Sequence, residues 1–164
     1  HEQRGSRRHL PTPARILHEL LPVGAIDAGV DLSHTPAPHE AVSIEAVSGA
    51  CMLIRRTALD AVGGFDTAYP LHFEDLDLFA RLQQHGWAVR WCPDVHITHV
   101  GGGSSQRSAV RVLWSKHQGL WRYLNLHCKP IWPRWQRPVW AVMLLAHATI
   151  KTPWAWLRSL RAAR

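Results

Sequence analysis

The sequence predicts an α/β fold, and three observations carry that prediction. Two short stretches suit strands, one at Val42, Ile44 and Val47 and one from Trp87 to Trp91. Helical periodicity runs from residue 74 to about His85 and again from Arg107 to about Leu126. Of the 164 residues 46% are apolar, so a single domain can bury a core.

Residues 1–40 carry little periodicity. Arg4, Arg7 and Arg8 form a basic cluster of the kind usually found on a solvated face. Ala14 to Leu21 predicts a short helix stopped by Pro22, and Asp31 to Glu40, with Pro36 and Pro38, predicts a loop. The strand pattern from Val42 is then interrupted by Ser48-Gly49, and Ala50 to Ile54 predicts a second buried apolar run. Gly49 suits either a plain turn or a point where a ligand comes close to the backbone. Thr57 is expected to cap a short helix with Asp60 reaching back, and Gly63-Gly64 to end it. Phe65 suits the core and Asp66 a turn.

The stretch Phe73-Glu74-Asp75-Leu76-Asp77-Leu78-Phe79 puts three carboxylates at the start of an amphipathic helix. Leu76, Phe79, Ala80 and Leu82 supply its buried face, and Gly86 suits a left-handed cap just past its end. Acidic residues in a first turn suit the helix dipole. Three of them among apolar neighbours exceed what a cap requires, and crowding in a cleft raises a carboxyl toward general-base range. Asp77 suits a supporting partner or a plain helix-turn carboxylate.

After the strand at Trp87–Trp91, closed by Cys92-Pro93, Val95 to Val100 predicts another strand. On it His96 and His99 point to opposite faces, which argues against a two-histidine metal site. His96 suits a structural role. His99 stands before Gly101-Gly102-Gly103-Ser104, a loop fit for close approach to phosphate.

The end of the chain differs in charge. Residues 1–94 hold eight basic and twelve acidic side chains, whereas residues 95–164 hold eleven basic and none acidic. Such asymmetry points to an anionic partner. Pro130, Pro133 and Pro138 follow the second helix. Val139 to Ile150 is apolar but, at twelve residues before Pro153, too short to span a bilayer. Five tryptophans (Trp132, Trp135, Trp140, Trp154 and Trp156) cluster there, which suits a helix in the headgroup plane of a membrane. Stacking of bases by this tail is a weaker expectation, since no nucleic-acid motif accompanies it. The three scattered cysteines, Cys51, Cys92 and Cys128, form no disulfide or zinc framework and suit a reducing, cytoplasmic setting. His1 is not a methionine and no signal peptide opens the chain, so a piece of a longer protein that has lost its front is expected.

The ordered series Val47 to Arg56, Val62-Gly63-Gly64-Phe65-Asp66, the carboxylate stretch, Gly86-Trp87, Pro93-Asp94 and His99 to Ser104 resembles inverting family 2 glycosyltransferases, in particular their rhamnosyltransferase-like group with a GT-A fold. The resemblance is strong over residues 40 to 105. It implies a partial GT-A fold, with residues 1–40 a variable segment, 41–105 the acceptor-side half and 106–164 a basic, Trp-rich helical tail. It further implies transfer of a sugar, rhamnose in the nearest subgroup, from a nucleotide-sugar donor to a saccharide or lipid-linked acceptor in cell-surface polysaccharide synthesis. Asp75 would be the catalytic base and Glu74 would orient the acceptor. Ser48, Gly49 and Gly101, Gly102 and Gly103 would line the substrates. His99 would complete a divalent-metal site, manganese or magnesium, beside an Asp-x-Asp of the donor half. That half is missing from this sequence, so little turnover is expected from these residues alone. The tail implies a peripheral place on an anionic membrane surface at the inner face of the cell membrane, and nucleic acid is not an expected partner. The competing expectation is a non-catalytic, membrane-associated remnant or partner subunit.

Overall fold

The computed structural model describes residues 3–20, 29–99 and 109–162. It divides into two compact units, His1–Asp66 with Glu74–Thr98, and Thr67–Phe73 with His99–Arg164.

The first unit mixes helices with two small antiparallel sheets. Strand β1 (Arg7–Arg8) pairs with β3 (Ala46–Val47), and β2 (Val42–Ile44) pairs with β4 (Val89–Trp91). Helix α1 (Pro13–Leu20) opens with Pro13 in its first turn, and Thr12 Oγ1 accepts the Arg15 amide at 3.2 Å. Between β2 and β3, Glu45 gathers His9 Nδ1 at 2.7 Å, the Leu10 amide at 2.8 Å and Arg15 Nη1 at 2.7 Å. Burial pushes this carboxyl up, but Arg15, Leu10 and His9 together overcome it and hold Glu45 below the usual glutamate range. Helix α2 (Arg56–Val62) ends as expected at Gly63, with φ 75°, a backbone state that glycine adopts without strain. Helix α3 (Glu74–Gln84) is the buried centre, with Leu76, Leu78, Phe79, Ala80 and Leu82 all at most 5% exposed. Gly86 follows it at φ 80°, and the Trp87 amide returns to the Leu82 carbonyl at 3.0 Å.

Five expectations are corrected here, the first being that Phe65, expected in the core, is 46% exposed. Arg7 and Arg8 do not lie on a solvated face. Arg7 is 3% exposed and donates to the Thr35 carbonyl at 2.7 Å, while Arg8 turns to α3. Ala50 to Ile54 is not a buried run, since Leu53 is fully exposed and no strand forms. Thr57 does not cap α2: Arg55 holds the cap position without a side-chain bond, and Asp60 pairs with Arg56 at 2.8 Å one turn away. Residues 95–99 are not a strand. Val95 and Ile97 alternate, but both are exposed, and β4 already has its partner in β2.

The second unit is built on α4 (Ala109–His127) and α5 (Arg137–Ala162), joined through a 3-10 turn at Arg134–Gln136. Trp114 Nε1 donates to Thr152 Oγ1 at 3.1 Å, and His117 Nε2 meets His147 Nδ1 at 2.8 Å, so the two helices run antiparallel. His117 Nδ1 donates to the Leu113 carbonyl, which leaves Nε2 to accept from His147 when both rings are neutral. Burial, then the positive potential of His117 and Lys151, holds His147 below the usual histidine range. At the closed end Trp132 is fully buried, edge-on to both Trp121 and Trp140. Burying each of Leu124 and Leu144 contributes about 1.5–3 kcal/mol.

Helix α5 continues through Pro153, beyond the apolar run Val139 to Ile150. A proline removes one ladder bond, and the Trp114 bond to Thr152 ties α5 to α4 just before it. Among the described residues no helix is long and apolar enough to cross a membrane. Within the same unit His72 and Phe73 both take positive φ, 66° and 71°, an uncommon state for side chains of their size. Their neighbour on α4 is Gly119, where a Cβ would stand 3.0 Å from the His72 carbonyl oxygen and 3.0 Å from Phe73 Cδ2. Glycine inside a helix costs about 1 kcal/mol against alanine, and here it leaves room for that turn.

Candidate functional site

The site is assembled in the first unit around the first turn of α3. Asp75 is 9% exposed. Its Oδ2 accepts Arg8 Nη2 at 2.6 Å and the Gly49 amide at 3.1 Å, and its Oδ1 accepts the Leu76 amide at 2.8 Å. Three elements meet at this carboxylate. Strand β1 presents Arg8, whose Nη2 also reaches the Val47 carbonyl at 3.3 Å. Strand β3 leads into the Ser48-Gly49 turn. That turn is tied back by the Ser48 amide to Ser6 at 2.9 Å, and Ser48 Oγ accepts the Ala50 amide at 3.3 Å. Helix α3 supplies the acid itself. Strand side chains alternate between faces, so Arg7 and Arg8 divide the work. Arg7 holds the Thr35 segment and stacks over Trp91, while Arg8 balances Asp75.

Gly49 is tight for a definite reason. A Cβ there would lie 3.3 Å from Asp75 Cβ and 3.4 Å from Oδ2. The group that comes close to its backbone is therefore the carboxylate of α3.

Glu74 stands next to this cluster and differs from it. Its Oε2 is buried and has no hydrogen-bond partner. Burial, with the negative charge of Asp75 adding to it and Arg8 opposing, holds Glu74 above the usual glutamate range. A carboxyl raised in this way binds its proton more tightly folded than unfolded. Its cost therefore sets in as pH rises past the unfolded value and is complete above the folded one. Glu74→Gln is expected to raise Tm at neutral pH, with the gain vanishing below about pH 3, where the acid is protonated in both states. Thermal unfolding across that range checks it, and an unchanged Tm at neutral pH would show that the buried orphan oxygen costs nothing.

Asp77 is 1% exposed and accepts Arg81 Nε at 2.8 Å, and Arg81 Nη1 donates to the Val62 carbonyl at 2.6 Å, which ties α3 to the end of α2.

The structure thus brings Ser48, Gly49 and Asp75 into one cluster with Glu74 beside it, and adds Arg8, which sequence reasoning missed. No local pattern marks Arg8, because its role comes from a two-residue strand whose partner lies far along the chain. His99 is exposed and belongs to the second unit. Gly101, Gly102 and Gly103 lie outside the described residues. Among the described residues no three His, Cys, Asp or Glu side chains stand close enough to hold a metal ion. These residues do not by themselves fit a divalent cation.

Comparison with known proteins bears on this arrangement. A family model described as glycosyltransferase like family 2 matches residues 11–117, which include Glu45, Gly49, Glu74 and Asp75. The chain is also 36% identical over 78 residues to an N-acetylglucosaminyl-diphospho-decaprenol L-rhamnosyltransferase of Mycobacterium tuberculosis, in each of two strains (CDC 1551 / Oshkosh and ATCC 25618 / H37Rv). That stretch is 48% of this chain and 25% of the relative, so the match spans a quarter of the relative's length. No solved structure matches.

Proposed function

The chain belongs to glycosyltransferase-like family 2, and from that premise we propose that it carries the acceptor side of an inverting, GT-A-type sugar transferase. An acceptor hydroxyl attacks the anomeric carbon of a nucleotide-sugar, its proton passes to Asp75, and the nucleoside diphosphate leaves. Configuration inverts in that single displacement. The observation that carries the reading is the buried Asp75 carboxylate, held by Arg8, Gly49 and Leu76 at the start of α3. Those three donors fix its orientation and leave one lone pair on Oδ1 for the acceptor. Glu74, through its unpartnered Oε2, orients the acceptor hydroxyl, and the Ser48-Gly49 turn lines the same place. On the same reading Gly101, Gly102 and Gly103 are substrate-binding residues, and His99 belongs to the donor side.

The relative's name supplies the substrate class. L-rhamnose is the proposed sugar and a polyprenyl-diphosphate-linked saccharide the proposed acceptor, in cell-surface polysaccharide synthesis at the cytoplasmic face of the membrane. The test supplies the protein, as its host makes it, with an L-rhamnosyl nucleotide and a polyprenyl-diphosphate N-acetylglucosamine. Expected is a rhamnosylated lipid whose new linkage, by NMR, has the anomeric configuration opposite to the donor's. Retention of configuration, or consumption of donor without transfer, would overturn the reading.

A second reading is a non-catalytic partner that keeps this half-fold. One observation favours it: Arg8 engages the Oδ2 oxygen of Asp75 in a close ion pair, as in a purely structural contact. On that reading Asp75→Asn changes no turnover.

A further inference from the structure

Helices α4 and α5 meet through two imidazoles. His117 Nε2 stands 2.8 Å from His147 Nδ1, with the ring centroids 5.1 Å apart. A hydrogen bond between two ring nitrogens needs one donor and one acceptor. His117 Nδ1 is committed as a donor to the Leu113 carbonyl at 2.7 Å, so in the neutral pair its Nε2 accepts and His147 Nδ1 donates. The fourth nitrogen, His147 Nε2, carries the remaining lone pair. One extra proton can settle there with the bond between the rings intact. A second has no such place. It would put a hydrogen on each of the two facing nitrogens and turn a bond into two donors, each on a positive ring.

Nothing in the surroundings offsets those charges. The unit that holds both helices, Thr67–Phe73 with His99–Arg164, contains no Asp or Glu. One turn to either side of His117 stand Leu113, Trp114, Leu120 and Trp121, and about His147 stand Met143, Leu144, Ile150 and Lys151. The charges that act on His147 are those of His117 and Lys151, and both are positive. Lys116, beside His117 on α4, is exposed. The segment Thr67–Phe73 meets α4 elsewhere: Tyr69 lies under Arg122, and the His72 carbonyl lies at Gly119, about 200° round the helix from His117.

We propose that His117 and His147 form an acid-sensitive latch between α4 and α5, which holds one extra proton while closed and takes a second only by opening. Below the ordinary histidine value of about 6.5 the open pair therefore binds one proton more than the closed pair, and opening grows about tenfold per pH unit. The contribution of the latch is full above that value and is lost as pH falls. The bond that opening would break next is the one from Trp114 Nε1 to Thr152 Oγ1, at 3.1 Å. The closed end of the pair, where Trp132 is packed edge-on to Trp121 and Trp140, stays shut. The latch is independent of the sugar-transfer reading, and no substrate enters its test.

Exchange of the Trp114 indole proton is followed by NMR in the full chain at about pH 7.5 and about pH 5.5, relative to free tryptophan at each pH. Expected at the lower pH is a loss of protection of about tenfold, while the buried Trp132 indole proton keeps its own. His147→Gln should hold the Trp114 proton equally at both pH values. Its amide can donate to neutral His117 and, turned over, accept from the protonated ring. A loss of the same size in His147→Gln, or protection retained by the unaltered chain at the lower pH, overturns the proposal. Nitrogen-15 signals of the two rings give a decision that needs no variant. While Trp114 stays protected, the four ring nitrogens should never carry more than three protons between them. Two imidazolium rings beneath a protected Trp114 would refute the latch.

Discussion

In the transfer assay Asp75→Asn is expected to lower kcat by about 10²- to 10⁴-fold, the share that a positioned general base ordinarily contributes. The KM for the donor should change little, because the residue acts on the acceptor's proton. Asparagine is a fair probe here. Its Oδ1 can still accept from Arg8 Nη2 and the Gly49 amide, which now meet Asp75 Oδ2 at 2.6 and 3.1 Å. Only the Leu76 amide, which now donates to Oδ1 at 2.8 Å, would lose its acceptor to the Nδ2 group, so the turn over α3 is expected to keep its shape, which circular dichroism checks. What asparagine cannot do is take a proton. Glu74→Gln makes the useful contrast. If Glu74 orients the acceptor, its loss appears mainly in the acceptor KM, with a smaller change in kcat. A kcat untouched by Asp75→Asn would remove the base assignment and leave the non-catalytic partner standing.

The parts of this molecule that were legible in the sequence are those whose cause is local. Helix α3 announces itself through Leu76, Phe79, Ala80 and Leu82 at helical spacing and through Gly86 at its end, and the structure buries each of those apolar residues and gives Gly86 a positive φ. Helix α4 was legible for the same reason. The close approach at Gly49 was half legible: a glycine breaking a strand pattern signals it, but not that Asp75 would be the neighbour. What stayed hidden depends on pairing over distance. Arg8 and Asp75 are 67 residues apart, and they meet only because β1, two residues long, finds β3. The reverse error at Val95 to His99 has the same root, since alternation makes a strand only where another strand offers its backbone. The outer face of α5 could not be told from a buried one by periodicity, because both faces are apolar; only the packing on α4 shows which is left open.

Arg8→Ala is expected to cost the first unit about 3 kcal/mol, the lower end of what is lost when one partner of a buried ion pair is removed. The lower end is appropriate because the pair is not wholly dry: the Arg8 side chain is 20% exposed and that of Asp75 12%. Most of the cost would lie in what remains. Asp75 would keep two amides, those of Gly49 and Leu76, but would hold a buried negative charge without its cation. That argument makes a sharper prediction than the single value. In the Arg8→Ala background, Asp75→Asn should cost little or even restore stability, because it removes the charge left uncompensated. Urea unfolding of the two single variants and the double variant measures this coupling. A loss of only about 0–1 kcal/mol for Arg8→Ala, the usual worth of an exposed pair, would mean that water already solvates Asp75 and that Arg8 is dispensable to the site. The result also weighs the two functional readings. If the pair is strongly coupled and Arg8→Ala lowers kcat together with stability, the arginine is a positioning residue that holds the base in place. If coupling is strong but turnover is indifferent to either side chain, the ion pair serves the fold alone.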